Sequence, residues 1–162
     1  MIKGNCDNLK LIQVGIALAN ERGEQPPGNI FAWQFNLEFD EKIEQSRISS
    51  MDLLRESGLD FNKHKTDGIP HQLFAEYLIT SGLVLNPRCH WITFQGGVDF
   101  GYLLKYLWGV GLPTNEKLFL NELKMYFQNF YDCKELMREL TITGGLTKVA
   151  RQIGLDRIGT MH

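Results

Sequence analysis

Apolar residues recur along this chain in two rhythms, one of strands and one of helices. Residues 9–19 carry apolar side chains on both faces, as an inner strand does. The segment Asn20-Glu21-Arg22-Gly23-Glu24-Gln25-Pro26-Pro27-Gly28 then forces a turn. Residues 31–39 alternate strictly, with Phe31, Trp33, Phe35, Leu37 and Phe39 on one face and Gln34, Asn36 and Glu38 on the other. Two strands separated by a turn predict an antiparallel hairpin.

From there the spacing turns helical. After a polar stretch at 41–47, the serines at 49 and 50 cap a short helix that stops at Gly58. Residues 63–69 read as a loop. Pro70 suits a first helical turn, and Leu73, Phe74, Tyr77 and Leu78 recur at helical spacing until Gly82. Residues 90–94 form a strand, a glycine turn follows, and a helix runs over 99–108. Pro113 and Asn115 introduce a helix over 116–127, with Leu118, Leu120, Leu123, Tyr126 and Phe127 on its apolar face. Tyr131-Asp132-Cys133-Lys134-Glu135-Leu136-Met137 reads as a very short strand passing into a helix. A last helix follows Gly144-Gly145 and turns Leu146, Val149, Ala150 and Ile153 inward. With no repeat and no convincing linker, residues 1–162 read as one α/β domain.

Composition narrows the function classes. At 162 residues, with 43% hydrophobic and 11% aromatic content, the chain can bury a sizeable core. A net charge of −2 gives no basic footprint, so nucleic acid would have to be held by a local groove, stacking or metal ions. Cys6, Cys89 and Cys133 are odd in number and lack C-x-x-C spacing, which predicts free thiols in an intracellular setting. No apolar run is long enough to span a bilayer, and no signal-like segment opens the chain, so no membrane is expected. The first residues lead almost at once into the strand-like run at Leu9, and Met161-His162 follows a structured-looking segment. Both ends therefore read as cut through a fold.

The most informative acid is Asp99, in His90-Trp91-Ile92-Thr93-Phe94-Gln95-Gly96-Gly97-Val98-Asp99-Phe100-Gly101-Tyr102-Leu103-Leu104-Lys105. There it would sit beyond the carboxyl end of a strand, where open α/β sheets build ligand sites. The simpler local explanation is an N-cap or first-turn acid that complements the helix dipole. Glu38 and Asp40 share a strand face but flank a turn, which favours a solvated pair. His64 and His71 read as surface or capping residues, and no Cys/His spacing suits structural zinc. Neither Gly96-Gly97 nor Gly144-Gly145 is followed by the Lys-Ser/Thr of a phosphate-binding loop, and no serine or cysteine nucleophile setting is present.

Several stretches together resemble the Caf-one/Pop-two deadenylases, nuclease subunits of the Ccr-four–Not complex. They are Asp7-Asn8-Leu9-Lys10-Leu11-Ile12-Gln13, Trp33-Gln34-Phe35-Asn36, Phe74-Ala75-Glu76, Ser81-Gly82-Leu83-Val84-Leu85, Asp99-Phe100-Gly101-Tyr102-Leu103, Tyr131-Asp132, Gly144-Gly145-Leu146 and Arg157-Ile158-Gly159. The resemblance implies an RNase H-like mixed sheet flanked by helices, in the DEDD exonuclease superfamily. It implies 3′-to-5′ removal of poly(A) from mRNA in nucleus and cytoplasm, by metal-dependent phosphodiester hydrolysis. Its cofactors would be two divalent ions, magnesium first and manganese second. Its partners would be poly(A) RNA, the Not scaffold and the Ccr-four-type nuclease subunit. Asp99 matches the family's third acid and would be a metal ligand and catalytic residue. His162 matches the histidine that would position or deprotonate the attacking water.

The departures bear on activity. The family's first two acids lie in an upstream M-D-T-E-F strand and its fourth in an A-G-S-D segment beyond the matched histidine; neither has a counterpart here. Gln95, Gly96 and Val98 replace the family's usual His, Ser and Tyr. The resemblance therefore implies a partial domain lacking its first central strand and last helices, with an incomplete two-ion site and weak or no activity. A non-catalytic adaptor of the complex is the alternative reading.

Overall fold

Gln13–Ala17 (β1) and Ala32–Asn36 (β2) pair antiparallel, with Gln13 opposite Asn36 and Ala17 opposite Ala32, as two strands separated by a turn predict. This computed structural model describes residues 2–28, 30, 32–44, 48–140 and 142–155. His162, Phe31 and Arg157-Ile158-Gly159 lie outside the described residues. The chain divides into two compact units, one comprising Asp7–Tyr77 and the other the residues before and after it.

In the Asp7–Tyr77 unit, the strand pattern buries side chains only beyond β2. Leu37 and Phe39 are fully buried, whereas Trp33 stays 39% exposed on the two-stranded pair. Beyond Asn36 the backbone changes partner: Glu38 N donates to Ile69 O at 2.9 Å, and Ile69 N donates to Asn36 O at 2.9 Å. Helix α2 (Ile48–Glu56) begins before the two serines expected to cap it, and Gly58, at φ +90°, ends it. Met51, Phe39 and Phe61 form its core contact, flanked by Ile12, Leu54 and Leu59.

Residues 63–69 are not the expected loop. Phe61–Asp67 is a helix, α3, because Asp60 accepts hydrogen bonds from the backbone N–H groups of Asn62 and Lys63. Phe61 and His64, three positions apart, bury one side of its turns. His64 is therefore not a surface residue: it is 4% exposed, and its Nδ1 lies 2.8 Å from Leu37 O.

His71 opens α4 (His71–Thr80), half-buried, with Nε2 2.8 Å from Leu11 O. Burial pushes its imidazole pKa below the usual value, outweighing the opposing effect of the Leu11 carbonyl. A depressed histidine favours the neutral form in the folded state. Its contribution to stability is complete above the ordinary imidazole pKa and is lost as pH falls through the folded-state value. Urea midpoints measured across this interval should fall with acidity, and His71→Gln should flatten the slope; an unchanged slope would contradict this role.

Ile2–Asn8 forms helix α1, whose residues through Cys6 belong to the other unit, where the sequence predicted no lead-in to the first strand. Cys6 is fully buried with Leu104 and Leu112, and Lys105 Nζ donates to Cys6 O at 2.7 Å. His90–Thr93 (β3) and Asn129–Asp132 (β4) pair in parallel, with Thr93 opposite Asp132. Between them run α5 (Gly97–Trp108) and α6 (Glu116–Tyr126), the latter capped by Asn115. Trp91, Phe100, Phe127 and Phe130 make the aromatic core that seats α5, with Phe100 and Phe127 at a centroid distance of 5.0 Å.

Helices α7 (Cys133–Glu139) and α8 (Leu146–Gln152) complete the described elements. Of the residues expected to face inward on α8, Val149 is buried, but Leu146 and Ile153 are exposed. The α/β class is thus realised as one antiparallel and one parallel strand pair with helices. No described helix is long and apolar enough to cross a membrane.

Candidate active site

Parallel pairing brings the carboxyl ends of β3 and β4 side by side, and each strand passes directly into a helix. Such ends gather backbone N–H groups and acids at one edge of a sheet. Asp99 lies in the first turn of α5 and Asp132 is the last residue of β4. The sequence marked Asp99 as an N-cap or first-turn acid, or a site residue; the helix begins at Gly97, with Gly96 as its cap and no side-chain cap bond, and Asp99 in its first turn. Asp99 is therefore not the N-cap.

The two acids have different surroundings. Asp132 Oδ1 accepts from Gln95 N at 2.7 Å and from Lys134 N at 2.9 Å, while Oδ2 accepts from Gly96 N at 3.0 Å. Both of its oxygens are engaged by backbone. Asp99 is open to solvent, and no described residue donates a hydrogen bond to its carboxylate. Partial desolvation, reinforced by the negative charge of Asp132, raises the Asp99 pKa above the ordinary carboxylate value. A solvent-facing acid that holds its proton more tightly than usual can accept a cation, which replaces the proton as neutralising charge.

The turn that carries Asp99 is tightly built. Gln95 adopts a left-handed backbone, φ +62°, which is unusual for a residue with a side chain. Gly96 is buried, and a Cβ there would lie 2.4 Å from Thr93 Oγ1 and 2.5 Å from Thr93 Cβ. The glycine at the position where the resembled family has serine thus has a steric cause. Behind the turn, Lys134 Nζ donates to Gly144 O and lies 5.4 Å from the centroid of the Phe94 ring. On the sheet's exposed face His90 and Tyr131 stack at 5.8 Å and 7°.

Asp132 was visible in the sequence only as half of Tyr131-Asp132. Its role depends on the β3–β4 register, although an acid between a short strand and a helix is a local sign of a cap. The acids Glu38 and Asp40 belong to the other unit; Asp40 pairs with Lys65 at 2.8 Å, which holds its pKa down, and is a structural ion pair. His162 lies outside the described residues.

A pair of divalent ions requires several carboxylates in one place. Among the described residues no three His, Cys, Asp or Glu side chains form a metal-holding group. Asp132 spends its oxygens on backbone N–H groups, leaving Asp99 as the available ligand. The described residues therefore do not fit a two-ion centre.

No protein-family model matches the chain. The chain is 41% identical over 99% of its length to the probable CCR4-associated factor 1 homolog 7 of Arabidopsis thaliana, of which it covers 61%. It is also 41% identical over 99% of its length to the poly(A) ribonuclease pop2 of Schizosaccharomyces pombe, of which it covers 48%. It thus spans roughly half to three fifths of these curated relatives. Among solved structures it is similar to S. pombe Pop2p in a form with Mg2+ and Mn2+ bound, at a TM-score of 0.93 and 42% identity. That match covers 98% of this chain and 63% of that one. The RNase domain of yeast Pop2 superposes at 0.88 with 35% identity, over 97% of this chain and 61% of that one. A chain from the structure of the yeast NOT1 MIF4G domain co-crystallised with CAF1 superposes at 0.84 with 32% identity, over 97% of this chain and 61% of that one.

Proposed function

This chain is a homologue of the Caf-one/Pop-two (CAF1/Pop2) proteins and has the RNase H-like α/β fold of the Pop2 RNase domain over the part it spans; from that premise we propose that it serves poly(A)-specific 3′-to-5′ exoribonucleolysis. The observation that carries this reading is the solvent-facing Asp99 at the carboxyl end of paired parallel strands, on a backbone that superposes on a metal-bound Pop2p at a TM-score of 0.93. The substrate would be poly(A) RNA, in nucleus and cytoplasm. Divalent metal ions, magnesium or manganese, would supply activation of water and stabilisation of the departing 3′ oxygen. Asp99 would contribute one ligand to that centre. His162 is proposed as the residue that positions the attacking water.

Because the described residues do not assemble a two-ion centre, the 162-residue chain alone should shorten 5′-labelled oligo(A) at least about a hundredfold more slowly than an enzyme with its full acid set. Magnesium-dependent shortening at an ordinary rate, abolished by Asp99→Ala, would instead make this chain a complete nuclease. A chimaera in which it replaces the matching segment of S. pombe pop2 tests the family function itself. That chimaera should deadenylate, and Asp99→Ala should abolish the activity; a folded but inactive chimaera would refute the proposal.

A second reading has its own observation. A chain that this one superposes on comes from the structure of the yeast NOT1 MIF4G domain co-crystallised with CAF1. We propose association with the Not scaffold, and through the complex with its Ccr-four-type nuclease, as a role that survives without catalysis. Capture of purified NOT1 MIF4G domain by the purified chain, without RNA, would support it, and absence of binding at micromolar concentrations would refute it.

A further inference from the structure

Asp132 does more than cap α7. An N-cap needs one acceptor, which serine, threonine or asparagine also provides. Here both carboxylate oxygens are used, and two of the three donors, Gln95 N and Gly96 N, belong to a different loop, 36 and 37 positions away. Consecutive amides on one carboxylate fix the orientation of the peptide plane between them.

The next peptide along the chain is the origin of α5. Gly96 O accepts from Phe100 N at 2.9 Å, which is the first bond of the helix, and Asp99 lies within the turn so closed. The other side of this turn is seated by Phe100, whose ring meets Phe127 at 5.0 Å and Phe130 at 5.5 Å. The left-handed Gln95 is the one residue between strand and helix cap whose backbone would relax if released.

We propose that Asp132 is the positioning residue for Asp99: by holding the Gln95 and Gly96 amides on one carboxylate, it sets the direction in which the first turn of α5 presents the Asp99 carboxylate. This rests on Asp99 being the working acid of the site. It divides the labour between the two acids, one directed at backbone and one directed at solvent.

The test is amide hydrogen exchange and residual dipolar couplings on the 15N-labelled chain. Asp132→Ser retains a capping oxygen for Lys134 but cannot reach across to both distant amides. Exchange at Gln95 and Gly96 should accelerate about tenfold or more, and the Asp99 N–H coupling should change. Lys134, Leu104 and Leu123 should keep their wild-type exchange. Asp132→Asn should restore Gln95 but not Gly96, because an amide NH2 replaces the oxygen that Gly96 needs. Unchanged exchange at Gln95 and Gly96 overturns the proposal, as does an unchanged Asp99 coupling. Uniform acceleration throughout α5 and α6 in both variants also overturns it, since that is the mark of general destabilisation. The role of Asp99 is judged separately by Asp99→Ala in the pop2 chimaera, so the positioning effect and the function fail independently.

Discussion

Gly68→Ala is expected to destabilise the Asp7–Tyr77 unit by about 3 kcal/mol or more. A Cβ at Gly68 would lie 2.2 Å from His64 O, 2.6 Å from Glu38 Cα and 2.7 Å from Glu38 N. All three are backbone atoms, so no rotamer change relieves the overlap. The backbone φ of −63° is ordinary, so the requirement for glycine is one of space alone. The contact that must open is the one where Glu38 N donates to Ile69 O and Phe39 N donates to His64 O. Once it opens, His64 loses its Leu37 carbonyl and Phe39 loses its seat in the core. Hydrogen exchange read on peptides covering 34–44 and 61–70 should show loss of protection in both. Wild-type protection there would mean that the strand end and α3 are not joined as described.

Phe127→Ala should have the second large effect, about 4 kcal/mol, in the other unit. Its ring is fully buried and meets Trp91 edge-on at 5.0 Å, and Phe100 at the same distance and 62°. Truncation removes the shared partner of a strand residue and a helix residue, and the space between them is too confined by α6 to collapse fully. Trp91 emission should shift to the red as water reaches the ring. Phe127→Leu keeps most of the volume and should cost about 1 kcal/mol. If alanine and leucine cost the same, shape at this position is not what holds β3 against α5. Phe100 follows Asp99 directly, so the alanine variant should also loosen the turn bearing the carboxylate.

The parts legible in the sequence were those with a strong local pattern. An apolar run placed β1, strict alternation placed β2, and Pro113, Asn115 and the helical spacing of the leucines placed α6, although Leu123 is buried while Leu118 and Leu120 stay exposed. Helix α3 was hidden because Asn62, Lys63, Lys65, Thr66 and Asp67 are polar, and its cause is the Asp60 cap together with two buried side chains three apart. Helix α1 was hidden for a different reason. Gly4, Asn5, Asp7 and Asn8 are poor helix formers, and burial of Cys6 against Leu104 and Leu112 overrides them. The α8 stripe misled: Leu146 and Ile153 have helical spacing but remain outside.

At the site, Asp99 was legible because strand, paired glycines and helix are contiguous. Asp132 was not, because no local pattern reveals which distant amides a strand-end acid will reach. Gln95 and Gly96, read as departures from the family's usual His and Ser, acquire a structural basis in the left-handed turn and the Thr93 contact.

The register of the two strand pairs also sets an order of assembly. The hairpin joins Gln13 to Asn36, 23 positions apart, through the connection 18–31, and β-hairpins close in about 1–10 μs. Thr93 Oγ1 donates to Tyr131 O across 38 positions, and the parallel pairing of the strands that carry them waits until α5 and α6 have wound and crossed over. On a ribosome the first strand pair can form while β4 is still inside the exit tunnel. The carboxylate of Asp99 then emerges before the residue that aims it, so the candidate site is among the last parts of the described chain to acquire its shape.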